Sequence, residues 1–403
     1  MISSAEKRGP LRILYSFPHA FGAPGIGWTA WNQVSELVDA GHEVHLMTAS
    51  VARAVPGVAS LTSSMVLGGR RVPHRAVGRR RAFAWHDSLA ARAVTRRNLD
   101  VVHAWPGASR RTLTAARAKG VAGLREVPNT HTAHAYAVVA EEVALLGLQS
   151  SDVTAHTFNA RRLANEEAEW AAASALLVPS DAVAKTFTDR GFDASRLLRH
   201  QYGYRPTTKA PVARVANTGR PLTAVFVGRG EPRKGLHYAL RAWRASTAHD
   251  KGTFIVCGEI DPLYRRYLEL DLDVPGLELR GFQSDVASVF AEADVLLLPT
   301  IEEGSALVTY EAQAYGCVPL VSSAAGAVLT HDVEGLVHAP RDVTTLAGHL
   351  DALDADRSKL ARMSAAAIAH APQLTWSAAN IKLVQAYDRA RHVPGGAHDA
   401  VHQ

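Results

Sequence analysis

Leu222-Thr223-Ala224-Val225-Phe226-Val227-Gly228-Arg229-Gly230-Glu231-Pro232-Arg233-Lys234-Gly235 reads as an apolar strand running into a basic loop bounded by glycines. Its first six residues form a short, nearly unbroken apolar run, as a parallel strand buried on both faces requires. A helical pattern starts at about Gly235. Strands at 253–257, 277–280, 295–298 and 318–321 then alternate with helices near 263–270, over 286–291 and up to Tyr315. Strand and helix in strict alternation build a doubly wound parallel sheet.

The same grammar precedes this stretch. Residues 11–18 are strand-like, a loop holding Gly25 and Gly27 follows, and a helix over 28–40 stops at Gly41 before a strand at 44–48. Further strands are expected at 101–104 and 175–179, with a helix over 110–119 and another from Ser180, whose hydroxyl suits a helix start. Periodicity fails near Pro206, Pro211, Gly219 and Pro221. The chain is therefore expected to hold two α/β domains facing a cleft, 1–205 and 221–373. Residues 206–220 link them, and a C-terminal segment from about 374 to 403 crosses back to the first domain.

Composition narrows the class. A chain of 403 residues exceeds the size at which one core keeps growing. With 47% apolar and 20% charged residues it resembles globular domains, which excludes a long disordered arm. Cys257 and Cys317 lie among apolar or small residues and read as buried free thiols, which points to a reducing, cytoplasmic setting. No run approaches the roughly 20 apolar residues of a membrane helix, and the apolar run after Pro10 is too short for a signal sequence.

A net charge of +6 favours anionic partners. Nine arginines, Arg70, Arg71, Arg75, Arg79, Arg80, Arg81, Arg92, Arg96 and Arg97, share one stretch with a single acid, Asp87. A solvated basic face is the simple reading. A docking surface for an anionic acceptor, or peripheral contact with the inner face of an anionic membrane, is the sharper one.

In open α/β sheets ligands bind beyond the carboxyl ends of strands, so the residues after each strand carry the chemistry. In the loop quoted first, Gly228 and its neighbours allow a tight turn, and Arg229 and Lys234 bring positive charge to the cleft, a combination suited to a diphosphate. Neither GxxxxGK[ST] nor GxGxxG is present, which excludes a P-loop and a dinucleotide fingerprint. After the strand at 295–298 come Glu303, the small residues Gly304, Ser305 and Ala306, then Leu307 and Glu311. The small residues let a ligand reach the backbone N–H groups of a helix start. Glu303 and Glu311 lie about 80° apart on a continuous helix, and converge only if Glu303 belongs to the loop. Placed so, they accept hydrogen bonds from sugar hydroxyls.

These motifs, with Ala314-Tyr315-Gly316-Cys317-Val318-Pro319 and Glu334-Gly335-Leu336-Val337, resemble the second domain of the retaining GT-B transferases of glycosyltransferase family 4, over most of 221–350. The resemblance implies that Arg229 and Lys234 contact the donor diphosphate and Glu311 the ribose. It implies that Glu303, with the backbone from Gly304 to Leu307, meets the donor sugar and phosphates. In the first domain the likeness is looser. It rests on Gly25-Ile26-Gly27, Asp100-Val101-Val102-His103, Asn129-Thr130-His131 and the run from Ala173 to Ser180, and it gives His131 a place by the donor sugar, with His134 and His103 as alternatives. The expected partners are a nucleoside-diphosphate sugar and an acceptor of unread identity, whether sugar, lipid-linked saccharide or small metabolite. No metal or other cofactor and no nucleic acid are expected. Two departures stand out: Gly203-Tyr204-Arg205 replaces the usual Gly-Val-Asp, and Ala325-Gly326-Ala327 replaces paired glycines followed by glutamate.

Other signals are set aside. Asp271-Leu272-Asp273 has the DxD form of metal-dependent transferases but precedes a turn away from the strand ends. His131 and His134 resemble half of a zinc site that nothing completes. Trp28 and Trp31 read first as core. A sugar-nucleotide epimerase on the same architecture and a non-catalytic sugar-nucleotide binding subunit stand as competing functions.

Overall fold

The structure, a computed structural model, describes residues 9–149, 156–208, 211, 213–214 and 219–392. Outside them lie residues 1–8 and 150–155, residues 209–210, 212 and 215–218 of the expected linker, and 393–403 of the crossing segment; the side chains of Leu67, His74 and Arg75 are also undescribed.

The first domain runs β1 (Arg12–Phe21), α1 (Ile26–Asp39), β2 (Glu43–Val51), β3 (Ser60–Ser63), a small hairpin of β4 (Val66–Leu67) and β5 (Arg70–Arg71), α2 (His74–Val77), α3 (Arg79–Arg96), β6 (Val101–Ala104), α4 (Arg110–Ala118), β7 (Ala122–Glu126), α5 (Thr132–Leu145), α6 (Ala160–Ala172), β8 (Ala175–Val178), α7 (Asp181–Thr188) and β9 (Leu197–Arg199). Its seven-stranded sheet has the order β3-β2-β1-β6-β7-β8-β9, with every pairing parallel.

The second domain continues with β10 (Thr223–Val227), α8 (Leu236–Ala245), β11 (Thr253–Cys257), α9 (Pro262–Tyr267), β12 (Leu277–Gly281), α10 (Val286–Glu292), β13 (Val295–Leu298), α11 (Leu307–Ala314), β14 (Val318–Ser322), β15 (Leu336–His338), α12 (Val343–Ala355), α13 (Arg357–His370) and α14 (Trp376–Arg391). Its sheet order β12-β11-β10-β13-β14-β15, again all parallel, is the doubly wound order with its switch point between β10 and β13.

Alternation along each strand splits the core into two layers. In β10, Ala224 and Phe226 join Leu240, Trp243 and Leu350 on one face, while Val225 joins Ile255, Leu296 and Tyr310 on the other. In β1, Tyr15 and Phe17 pack with Val34 and Leu124, and Leu14 faces Val94 and Val102.

The chain returns to its first domain through α14. Leu383, Tyr387 and Ala390 enter the β1 core, Asn380 Nδ2 donates to the Glu36 carbonyl at 3.1 Å, and Tyr387 Oη lies 2.7 Å from His103 Nδ1. At the crossing, a Cβ on Gly203 would come 2.4 Å from the Trp376 nitrogen, so only glycine fits the close approach. Arg205, which follows, turns to α1 and donates to Asn32 Oδ1 at 2.5 Å. The domains also meet where Glu142 of α5 receives His237 (2.9 Å) and Arg341 (2.8 Å).

Candidate functional site

The loop after β10 is shaped by its neighbours. Pro232–Lys234 makes one 3-10 turn, and Gly235 follows in the left-handed region at φ 70°. A Cβ there would meet the Pro299 carbonyl oxygen at 2.2 Å, so the loop can lie on the β13 loop only with glycine at 235. Ile301 N–H (3.0 Å) and Thr300 Oγ1 (2.8 Å) both donate to the Arg233 carbonyl, stitching the two loops together.

This stitching brings charges into one cluster. Lys234 Nζ donates to Glu303 Oε2, and Arg233 Nη1 lies 3.2 Å from the same oxygen. Arg233 also holds Glu231 at 2.9 Å and donates to the Glu302 carbonyl at 2.9 Å. Burial would raise the Glu303 pKa, but Lys234, Arg233 and the Gly304 N–H outweigh it and hold the carboxyl at about 2. Glu303 is therefore anionic near neutral pH, an acceptor and a counter-charge with no proton to give.

Behind Glu303 the backbone enters α11. Ala306 occupies the N-cap and no side chain caps the helix, so its first N–H groups and the positive end of its dipole are left for an anionic ligand. Ser305 Oγ lies 2.8 Å from Tyr310 Oη, which fixes the loop to the helix it introduces. On the first exposed face of α11, Glu311 is half-buried, and no hydrogen bond or ion pair from a described residue reaches its carboxylate. Burial alone pushes its pKa up to about 7.

The first domain closes on this loop. Ser180, which caps α7 by accepting from the Val183 N–H (3.2 Å), donates its hydroxyl proton to the Gly304 carbonyl at 2.6 Å. A Cβ on Gly304 would come 1.9 Å from the Pro128 carbonyl oxygen, and one on Gly326 would come 2.5 Å from the Gly304 oxygen. The neighbouring Glu302 is fully buried and reaches the other way, accepting from Thr130 Oγ1 at 2.5 Å, with His156 Nε2 at 3.6 Å and Arg233 Nη1 at 3.5 Å. On the first-domain side of Glu302 a small hollow of about 30 Å³ is lined by Asn129, Thr130, His156, Arg162, Glu166 and Trp170.

The sequence-derived residues thus divide. Lys234, Glu303, Gly304, Ser305, Ala306, Leu307 and Glu311 share the two loops and the start of α11. Gly228, whose N–H donates to the Cys257 carbonyl (2.9 Å), begins the basic loop. Arg229 stands at its exposed edge, 3.5 Å from Asp261, and Arg233, passed over in the sequence, takes the place beside Glu303. Gly25 (φ 77°) precedes α1 at the carboxyl end of β1, and a Cβ on Gly27 would meet the Ala20 oxygen at 2.5 Å.

His131 is turned into the first domain. Its ring packs on Trp170 and Phe187 (4.6 and 4.9 Å between centroids), and Nδ1 caps α5 by accepting from the Ala133 N–H at 3.2 Å. Burial, then Arg190, lowers its pKa to about 4, so it is neutral near pH 7. His103 is buried between Glu126 (3.1 Å) and Tyr387, and Asp271 is taken up by Arg241 (3.1 Å). Trp28 and Trp31 stack on each other 4.9 Å apart, with the Arg53 guanidinium over both rings.

Comparison with known proteins fits this geometry. Residues 24–198 match the model of Glycosyltransferase Family 4, and residues 221–356 match that of Glycosyl transferases group 1. The chain belongs to the family 4, group 1 glycosyltransferases. A D-inositol 3-phosphate glycosyltransferase of Thermobispora bispora is 32% identical to this family 4 chain over 219 residues, 48% of the chain and 50% of the relative. The chain thus spans about half the length of that relative. Among solved structures, sucrose-phosphate synthase from Thermosynechococcus elongatus superimposes with a TM-score of 0.68 at 17% identity, over 94% of this chain and 98% of that one. HepE of Anabaena, solved with UDP and glucose, does so with a TM-score of 0.62 at 15% identity, over 94% and 99%. At such identities the likeness is one of fold, and the fold is GT-B. Among the described residues no helix is long and apolar enough to cross a membrane.

Proposed function

We propose that the protein moves a hexosyl group from a nucleoside-diphosphate sugar to an acceptor hydroxyl, with retention of anomeric configuration and without a metal or other cofactor. The observation that carries this reading is one shared surface: Lys234 and Arg233 gathered at Glu303, the uncapped start of α11 beside them, and the unpartnered carboxylate of Glu311 on that helix. A diphosphate supplies the anion that the lysine, Arg229 at the loop edge and the helix start attract. A ribose supplies the hydroxyl donors that Glu311 lacks.

In the step proposed, the bond from the anomeric carbon to the diphosphate oxygen breaks, and the bond to the acceptor oxygen forms on the same face. The acceptor proton passes to the departing diphosphate. Negative charge grows on that leaving group, so cations fixed in place before the reaction lower the barrier. Glu303 keeps Lys234 oriented until the donor arrives.

The experiment is calorimetry with UDP, GDP and ADP, followed by donor consumption with the matching sugar nucleotides in the presence of EDTA and NMR of the product's anomeric configuration. UDP comes first because the Anabaena protein of the same fold was solved with it. Saturable nucleotide binding with acceptor-dependent consumption and a retained anomer is expected. Isomerised donor without acceptor, or binding without turnover, would favour the epimerase or the binding subunit instead.

A further inference from the structure

Between Glu43 and Glu126 the chain has only two acids, Asp87 and Asp100, and the fold engages both away from the α3 surface. Asp87 is buried and accepts from Arg111 N–H (2.9 Å), Thr112 N–H (2.9 Å) and Thr112 Oγ1 (2.7 Å), anchoring the start of α4. Asp100 is held by Arg12 at 2.9 Å. The outer face of α3 therefore carries arginines without counter-charge. Arg80, Arg81, Arg92 and Arg96 are exposed on it, Arg70 and Arg71 flank it, Arg110 and Arg111 open the neighbouring α4, and no described acid pairs with any of these in α3 or the hairpin.

Local helix physics does not explain this arrangement. Arg79, Arg80 and Arg81 form the first turn of α3, which holds no acid, so three cations meet the positive end of the helix dipole. Near the middle of the same exposed stripe, four residues after Arg81 and seven before Arg92, Trp85 is 47% exposed. An exposed indole among arginines on one helix face suits the interface of a bilayer, where the ring sits at headgroup level and the cations meet anionic lipids.

The face also has a defined place. Phe83 lies with its ring 5.3 Å from that of His19 near the end of β1, and against Gly107 just after β6. Both are at the carboxyl edge of the first sheet, the edge that also bears Gly25 and Gly27. His86 fixes α3 there, bonding Ser16 (3.0 Å) and Ser64 (2.9 Å) from inside.

We propose that the α3 face docks the protein on an anionic phospholipid bilayer through Arg79 to Arg81, Arg92, Arg96 and Trp85, with the first-domain rim of the cleft turned to the lipid. On the transferase reading above, this brings the acceptor side to the surface where a lipid-borne hydroxyl is presented. The docking itself is tested without any transfer assay.

The full chain is sedimented with vesicles of phosphatidylcholine alone and of phosphatidylcholine with about a third phosphatidylglycerol. Binding to the anionic vesicles only, lost when salt rises from about 0.1 to about 0.5 M, is expected. Joint replacement Arg79→Glu, Arg80→Glu and Arg81→Glu should weaken binding at least about tenfold while keeping the melting temperature, since acids at a helix start are favourable. Trp85→Ala should weaken it with every charge intact. No sedimentation with anionic vesicles at low salt, equal binding to neutral ones, binding unchanged by the triple replacement, or displacement from vesicles by duplex DNA would each overturn the proposal.

Discussion

Thr130 and Glu302, 172 residues apart, meet across the cleft, with Thr130 Oγ1 donating to Glu302 Oε1 at 2.5 Å. The carboxylate is fully buried, so this bond and the nearby Arg233 and His156 replace the water it has lost. Glu302→Ala should lower unfolding stability by about 1–3 kcal/mol, because Thr130 and part of the Arg233 charge are left unsatisfied. Arg233 keeps Glu231 and Glu303, which limits the loss. An unchanged urea midpoint would show that the contact contributes nothing.

Lys234 separates charge on the leaving group from stability of the loop. Its side chain is 17% exposed and its partner Glu303 retains Arg233, so Lys234→Ala should leave the melting temperature within a few degrees. Turnover should fall by roughly 10²–10³, the range seen when one preorganised donor to a developing anion is lost. A variant that transfers sugar at near the parent rate would remove Lys234 from the mechanism.

Strands buried on both faces were legible to the residue. Val101–Ala104, Thr253–Cys257 and Val295–Leu298 are short apolar runs with clear boundaries, and no tertiary contact moves their ends. β1 was read as ending at Pro18, yet it continues to Phe21. The register against β2 slips between Phe17 and Ala20, which lets the strand pass a residue without an N–H. Helix α3 was legible only as a row of arginines, because its buried face is built from Ala82, His86, Ala90 and Val94 and gives a weak apolar signal. In the site, the sequence marked the loops but not which arginine of the basic loop turns inward. That is decided by the 3-10 turn at Pro232–Lys234 and its bonds to Thr300 and Ile301, contacts made 66 or more residues away in the chain. The capping role of His131 was equally hidden, since it depends on Trp170 and Phe187.

Glu311 predicts a pH dependence of definite sign. Its folded pKa of about 7 lies above the ordinary 4.5, so the stability linked to its protonation is complete below about 4.5 and is lost as pH rises through about 7. Replacement by glutamine removes the titration: Glu311→Gln should match the parent near pH 4.5 and exceed it at pH 8 by on the order of 1–3 kcal/mol. Nucleotide affinity should run the other way. Only the ionised carboxylate accepts from both ribose hydroxyls, so the parent's Kd for nucleoside diphosphate should tighten from pH 6 to pH 8 by more than the variant's, which follows only the ionisation of the terminal phosphate. Parallel pH profiles for the two proteins in calorimetry would exclude the ribose role.

Gly304 tests whether the closed cleft depends on a missing side chain. Its carbonyl receives the Ser180 hydroxyl, and its Cα faces the Pro128 carbonyl so closely that an added Cβ would lie 1.9 Å from that oxygen. Backbone on both sides of the contact cannot swing away as a flexible side chain would. Gly304→Ala should therefore leave each sheet folded but part the domains, breaking the Ser180 bond and lengthening the one between Thr130 and Glu302. The expected signs are a larger radius of gyration by small-angle scattering, a turnover lowered at least tenfold if closure completes the site, by the scale on which a misplacement of about 1 Å acts, and nucleotide affinity changed far less, since the basic loop, α11 and Glu311 all belong to the second domain. A compact variant with full turnover would mean that the domains meet elsewhere during the reaction.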